Sequence, residues 1–135
     1  MTGVYKMCGI AGIAIFGSGW NSTTLESAFR KMSSFMQHRG PDAEGVFCAD
    51  NIAFGHRRLS IMDVAAHSNQ PLLNEDGSVA LVFNGEIYNY QKLRKELQSS
   101  HQFKGDSDSE VIVHLYEEYG EQCVTMLEGM FAFAV

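Results

Sequence analysis

The chain has 135 residues, 45% of them hydrophobic and 19% charged, the balance of one folded soluble domain with its own core rather than of a disordered tract. Its net charge of -6 and pI near 5.2 provide no positive field for phosphate contacts, and no basic block suits an anionic membrane, so nucleic acid and membrane are not expected partners. Cys8, Cys48 and Cys123 are odd in number, far apart and accompanied by no histidines at metal spacing, which points to a reducing cytoplasm and to no metal in this domain.

Behind Lys6, the apolar run Met7 to Phe16 is too short for a bilayer, which needs about 20 residues, and no small-residue cleavage site follows it. Cys8 to Phe16 is instead predicted as a strand covered on both faces. Thr23 with Glu26 reads as a capping box opening a helix whose Leu25, Phe29, Met32 and Met36 recur at helical spacing. His38-Arg-Gly-Pro-Asp42 ends it as a loop. Strands are predicted at Gly45 to Ala49 and Ile52 to Ile61, joined by a turn, and at Val79 to Phe83, an uninterrupted apolar run. Lys92 to Gln98 reads as a short helix with Leu93 and Leu97 inward. Ser107 to Glu110 forms a second capping box, opening a helix with Val111, Ile112, Leu115 and Tyr119 inward. Gly129 to Val135 reads as a strand that is cut off. Apolar strands interleaved with amphipathic helices suggest stacked layers, each sheet with helices outside and another sheet inside.

Several residues carry two readings. Cys8 in an apolar strand is either a small buried hydrophobe or a nucleophile. Asn84-Gly85 between apolar runs is a hairpin signal in its own right. Alternation places Arg58 on the face of Ile52, Phe54 and His56, where a guanidinium wants a carboxylate, whereas Arg57 suits a solvent edge. Asp108, in the first turn of the expected helix, is a favourable partner for the helix dipole.

The segments Met7-Cys-Gly-Ile-Ala-Gly12, His38-Arg-Gly-Pro-Asp42, Arg58-Leu-Ser-Ile61, Gln70-Pro71, Asn84-Gly-Glu-Ile-Tyr-Asn89, Ser107-Asp-Ser-Glu110 and Gly129-Met-Phe-Ala-Phe-Ala134 resemble, in order, the signatures of class II glutamine amidotransferases. Arg-Gly-Pro-Asp and Arg-Leu-Ser-Ile resemble the asparagine synthetase branch. The resemblance implies an α+β, four-layer αββα sandwich of the amino-terminal-nucleophile hydrolase type, here carboxy-terminally truncated. It further implies that residues 1–7 are an extension, from a mis-assigned start or a propeptide, and that 8–135 form an incomplete amidotransferase domain from which a synthetase domain is missing.

In that family the cysteine α-amine takes the thiol proton, so Cys8 would attack glutamine, form a γ-glutamyl thioester and release ammonia and then glutamate. An α-amine near pKa 7.7 to 8.0 is roughly matched to a thiol near 8.5. The resemblance implies that the Asn84 amide and Gly85 N–H form the oxyanion hole, and that Arg58 grips the substrate carboxylate. It assigns the α-ammonium to Asp108, places Leu59, Ser60, Ile61 and Met62 along the glutamine pocket, and adds contacts from Glu86. No cofactor is expected here, with ATP and Mg confined to the missing synthetase domain of the same full-length chain, which would use the ammonia to amidate activated aspartate. A homodimer is a candidate assembly. With seven residues ahead of it, Cys8 lacks a free amine, so the chain as written is expected to be inactive. A catalytically inactive glutamine-binding or regulatory domain, and an amidotransferase for a polysaccharide or antibiotic precursor, stay open as alternatives.

Overall fold

A computed structural model describes residues 8–59 and 69–135. The expected extension 1–7 and the pocket residues Ser60, Ile61 and Met62 lie outside the described residues. Among the described residues six strands and three α-helices follow in chain order: β1 (Gly9–Ala14), α1 (Ser22–Ser34), β2 (Ala43–Ala49), β3 (Ile52–Arg58), β4 (Leu72–Leu73), β5 (Ala80–Ile87), α2 (Tyr90–Leu97), α3 (Glu110–Tyr119) and β6 (Gly129–Ala134), with a 3₁₀ helix, Gly120–Met126, before β6. They form two antiparallel sheets, ordered β1-β3-β2 and β4-β5-β6. No helix among the described residues is long and apolar enough to cross a membrane.

The period of two along each strand distributes side chains between two sets of neighbours. On β3, Ala53 meets Leu25 and Phe29 of α1, together with Ala11, Ile13 and Val46. The opposite face contributes Phe54, which packs with Ile10, Phe47, Ala80 and Val82 between the two sheets. On β5 the alternate residues Leu81, Phe83 and Ile87 turn to Leu93, Leu97, Val111, Ile112 and Leu115 of α2 and α3. Residues Ala80 to Phe83 are therefore buried on both faces, as their continuous apolar run predicts.

Several local expectations change. Strand β1 pairs with β3 alone among the described strands, and Gly12 and Ala14 are exposed, so it is not covered on both faces. Helix α1 is capped by Asn21, whose Oδ1 accepts the Thr24 N–H at 2.8 Å, and not by a Thr23–Glu26 box; Glu26 pairs with Arg30 instead. The Ser107–Glu110 box does not form either, because the Glu110 carboxylate accepts the N–H groups of Lys104 and Gly105. Tyr119 is exposed, since it closes the last turn of α3 beyond the packed region. Strand β4 and the 3₁₀ helix have too few periodic residues to signal themselves. Asn84-Gly85 is not a hairpin turn but lies within β5, with Asn84 opposite Ala132 and Gly85 opposite Phe131.

Close approaches fix how the loops meet the sheets. A Cβ on Gly45 would stand 1.7 Å from the Gln70 carbonyl oxygen, and one on Gly40 would stand 2.3 Å from the backbone of Arg57. Both contacts are to backbone, which cannot swing aside. Gly45→Ala is expected to lower stability by about 1–3 kcal/mol or more, the cost of overpacking a fitted site, read from urea unfolding midpoints; an unchanged midpoint would contradict the close approach.

Candidate active site

Five segments separated in sequence converge on one cleft of about 170 Å³, lined among others by Cys8, His56, Arg58, Asn84, Gly85 and Asp108. Cys8 stands immediately ahead of β1, Arg58 ends β3, Asn84 and Gly85 belong to β5, and Asp108 precedes α3. The β1–β3 register, Gly9 opposite Arg57 and Ile10 opposite His56, carries Cys8 to the Arg58 end of β3.

Backbone contacts hold Cys8 at that end. The Leu59 N–H donates to Cys8 Sγ at 3.4 Å, and Arg39 Nε donates to the Cys8 carbonyl at 3.3 Å. Arg39 belongs to the His38–Asp42 loop, whose Asp42 N–H bonds to the Arg58 carbonyl at 3.0 Å. That loop thus steadies both the sulfur-bearing residue and the end of β3.

The remaining expected residues divide. Arg58 donates to Asn69 Oδ1 at 2.9 Å and brings its positive charge to the cleft. Asp108 Oδ2 accepts the Ile87 N–H at 2.7 Å, a bond that ties the start of α3 to β5. Leu59 lines the cleft, whereas Glu86 is exposed and does not, because β5 has already passed the cleft at that residue. Arg57 is not the solvent-edge arginine of the pair: it donates to Ser33 Oγ at 3.0 Å and pairs with Glu44 at 3.3 Å, on the α1 side of the sheet.

Two lining residues, Gln70 and His56, are given no site role by the sequence reading. Gln70 accepts the Phe83 N–H through its side chain, and its peptide bond to Pro71 is cis. His56 is 4% exposed, and burial, aided by the nearby Arg58 charge, pushes its imidazole down to about 4 from an ordinary 6.5. The imidazole is therefore neutral at cellular pH. Strand alternation does place His56 on the face of Arg58, but its burial comes from the second sheet.

Gly85 has φ +153°, and a Cβ there would lie 2.2 Å from the Met130 carbonyl oxygen and 2.6 Å from Phe131 Cα. Glycine is required by both conformation and space.

A family model described as glutamine amidotransferase domain matches residues 7–135, and the chain belongs to that family. Among its relatives, asparagine synthetase [glutamine-hydrolyzing] 3 of Arabidopsis thaliana is 48% identical over 129 residues, covering 96% of this chain and 22% of that protein. The asparagine synthetase [glutamine-hydrolyzing] of Zea mays is 45% identical, with 96% and 21% covered. The chain spans about a fifth of the length of these curated relatives. In fold it is similar to the glutamine phosphoribosylpyrophosphate amidotransferase of B. subtilis solved with ADP and GMP, at 31% identity and a TM-score of 0.52, covering 64% of this chain and 21% of that one.

The depressed His56 sets a pH dependence. The unfolded imidazole takes up a proton near pH 6.5 while the folded one resists until about 4, so the unfolded state binds more protons in that window. His56 contributes its full stability above pH 6.5 and loses it as pH falls towards 4, up to roughly 3 kcal/mol. Unfolding measured at pH 7 and pH 5 should show this loss, and His56→Gln should flatten it; an equally steep pH dependence in the variant would refute the assignment.

Proposed function

We propose that the cleft hydrolyses glutamine to glutamate and ammonia, with Cys8 as nucleophile. The observation that carries the proposal is the convergence of Cys8, Arg58, Asn84, Gly85 and Asp108 on one cleft in a glutamine amidotransferase domain. Arg58 and Asp108 present opposite charges suited to the α-carboxylate and α-ammonium of a free amino acid. Leu59 lines the same cleft, and this proposal assigns Ser60, Ile61 and Met62, which lie outside the described residues, to glutamine binding as well.

The oxyanion site assigned to the Asn84 side chain and Gly85 N–H is supported by the strand period. Phe83 and Ile87 turn their N–H groups to the β5 edge occupied by Gln70 and Asp108, while the next N–H along the chain, that of Tyr88, bonds on the β6 side to the Glu128 carbonyl. Alternation directs the Gly85 N–H to the Gln70 and Asp108 edge, between the two. A tetrahedral oxyanion there would meet a backbone donor and the neighbouring Asn84 amide.

The base in this mechanism is the α-amine of Cys8 itself, which requires removal of residues 1–7. The amine takes the Sγ proton as sulfur attacks the substrate amide carbon. The resulting ammonium protonates the amide nitrogen of the tetrahedral intermediate, which leaves as NH₃ as the thioester forms, and the amine then activates the water that releases glutamate. His56 is a poorer base, because its imidazole, held near 4, binds a proton weakly.

The likeness to asparagine synthetases supports a wider role for the full-length protein: the ammonia passes to a synthetase domain that uses ATP and Mg to amidate activated aspartate. The finer architecture proposed is the four-layer αββα arrangement, supported by α1 on one sheet, α2 and α3 on the other, and an apolar cluster between the sheets. Free cysteines and acidic composition are compatible with a cytoplasmic setting.

With protein beginning at Cys8, Asn84→Ala is expected to retain its circular dichroism spectrum while glutaminase kcat falls about 10²- to 10³-fold. A chain still carrying residues 1–7, its amino terminus verified by mass spectrometry, is expected to release no ammonia above background. Full turnover by that blocked chain would overturn the α-amine mechanism, and no turnover by folded protein starting at Cys8 would favour a glutamine-binding role instead.

A further inference from the structure

Away from the cleft, Glu75, His101, His114 and Glu117 bring one ligand-type atom each to within 4.8 Å of one another. They come from three places in the chain: the connection between β4 and β5, the connection between α2 and α3, and one face of α3, where His114 and Glu117 are three residues apart. None of the four lines the cleft. We propose that these residues form a divalent-cation site, of the kind that takes Zn²⁺ through two imidazoles and two carboxylates.

Metal bonds of about 2.0–2.1 Å in a tetrahedron place ligand atoms roughly 3.3 Å apart. His114 Nδ1 lies 3.0 Å from Glu117 Oε2 and 3.7 Å from Glu75 Oε2, and His101 Nδ1 lies 3.5 Å from Glu117 Oε2. Three of the six ligand–ligand spacings are thus close to those of a four-ligand shell, and the four atoms lie within 4.8 Å of one another.

His101 Nε2 lies 2.9 Å from Glu118 Oε1, while its other ring nitrogen, Nδ1, faces Glu117 at 3.5 Å and Glu75 at 3.9 Å. The Glu118–His101 contact is also the outer carboxylate contact that orients metal-bound histidines.

The two glutamates are held in the same manner. Glu117 Oε1 accepts from Asn74 Nδ2 at 2.8 Å, and Glu75 Oε1 accepts the Gln102 N–H at 2.7 Å, which leaves the other oxygen of each available to the cluster. His114 is 2% exposed, with its ring edge-on to Phe103 at 4.6 Å. Its Nε2 has no hydrogen-bond partner among the described residues, so Nδ1 is the atom through which this buried ring meets polar groups. Two glutamate carboxylates beside two histidine rings are a donor set that a divalent cation can use. Nitrogen and oxygen donors with four protein ligands fit a structural Zn²⁺ better than Mg²⁺ or Ca²⁺, which prefer oxygen and water. Such an ion would clasp the β4–β5 and α2–α3 connections to α3.

The test uses the whole chain, stripped with chelator and dialysed against Zn²⁺, with bound metal measured by mass spectrometry. About one Zn²⁺ per chain and a rise of several degrees in Tm are expected. The double variant Glu75→Gln, His101→Asn alters partly exposed ligands and spares buried His114; its affinity is expected to drop about 100-fold or more with unchanged circular dichroism. Co²⁺ in the same site should give tetrahedral d–d bands without thiolate charge transfer. Substoichiometric Zn²⁺, equal binding by the folded double variant, or a thiolate spectrum from Cys8, Cys48 or Cys123 would each overturn the proposal. Because the readouts are binding and melting, they do not depend on glutaminase activity.

Discussion

The unshared edge of β5 is the constraint on which the cleft depends. Strand β4 pairs with β5 only at Leu81 and Ala80, so the edge beyond has backbone donors that another sheet strand would ordinarily satisfy. Here the Gln70 side chain takes the Phe83 N–H and the Asp108 carboxylate takes the Ile87 N–H. Each bond satisfies a buried strand and at the same time fixes a cleft-lining residue. The short β4 thereby opens a gap in the sheet whose walls are side chains and whose floor contains Asn84 and Gly85.

That gap faces the end of the other sheet. Phe54 and Phe47 stack with ring centroids 5.2 Å apart, and with Ile10, Ala80 and Val82 they hold the sheets together beside the cleft. The same packing buries His56, and with the Arg58 charge beside it the imidazole stays neutral where a solvent-exposed histidine would begin to titrate. The His38–Asp42 loop closes this end: Gly40 lies flat on the backbone of Arg57, Asp42 bonds to Arg58, and Arg39 reaches the Cys8 carbonyl. A motif that could be taken for a helix stop is thus a brace for Cys8.

Much of this was legible one residue at a time. The apolar run Val79 to Phe83 reports burial on two faces because nothing polar interrupts it, and Leu25 and Phe29 report the α1 face because helical spacing repeats. The capping residues were less legible: Thr23 and Ser107 have the right chemistry, but Asn21 and the Glu110 contacts to Lys104 and Gly105 prevail, since several nearby polar groups compete for the same orphan N–H groups. Asn84-Gly85 looks like a turn locally. Its place within a strand follows from pairing with β6, more than forty residues further along the chain, which local pattern does not encode.

The sequence by itself determined the type of most elements and the inward faces of α1, α2 and the apolar part of β5, because periodicity is a local property. It also held the ordered segments through which the family is recognisable. Only the tertiary structure decided that Glu86 stands outside the cleft, that Arg57 is paired while Arg58 faces the site, and that His56 is buried between sheets. It alone drew Glu75 and His101 up to His114 and Glu117, across gaps no ligand spacing would suggest. The physical reason is common to all of these: burial and proximity are set by which strands pair and which loops pass over them, and those contacts join residues far apart in the chain.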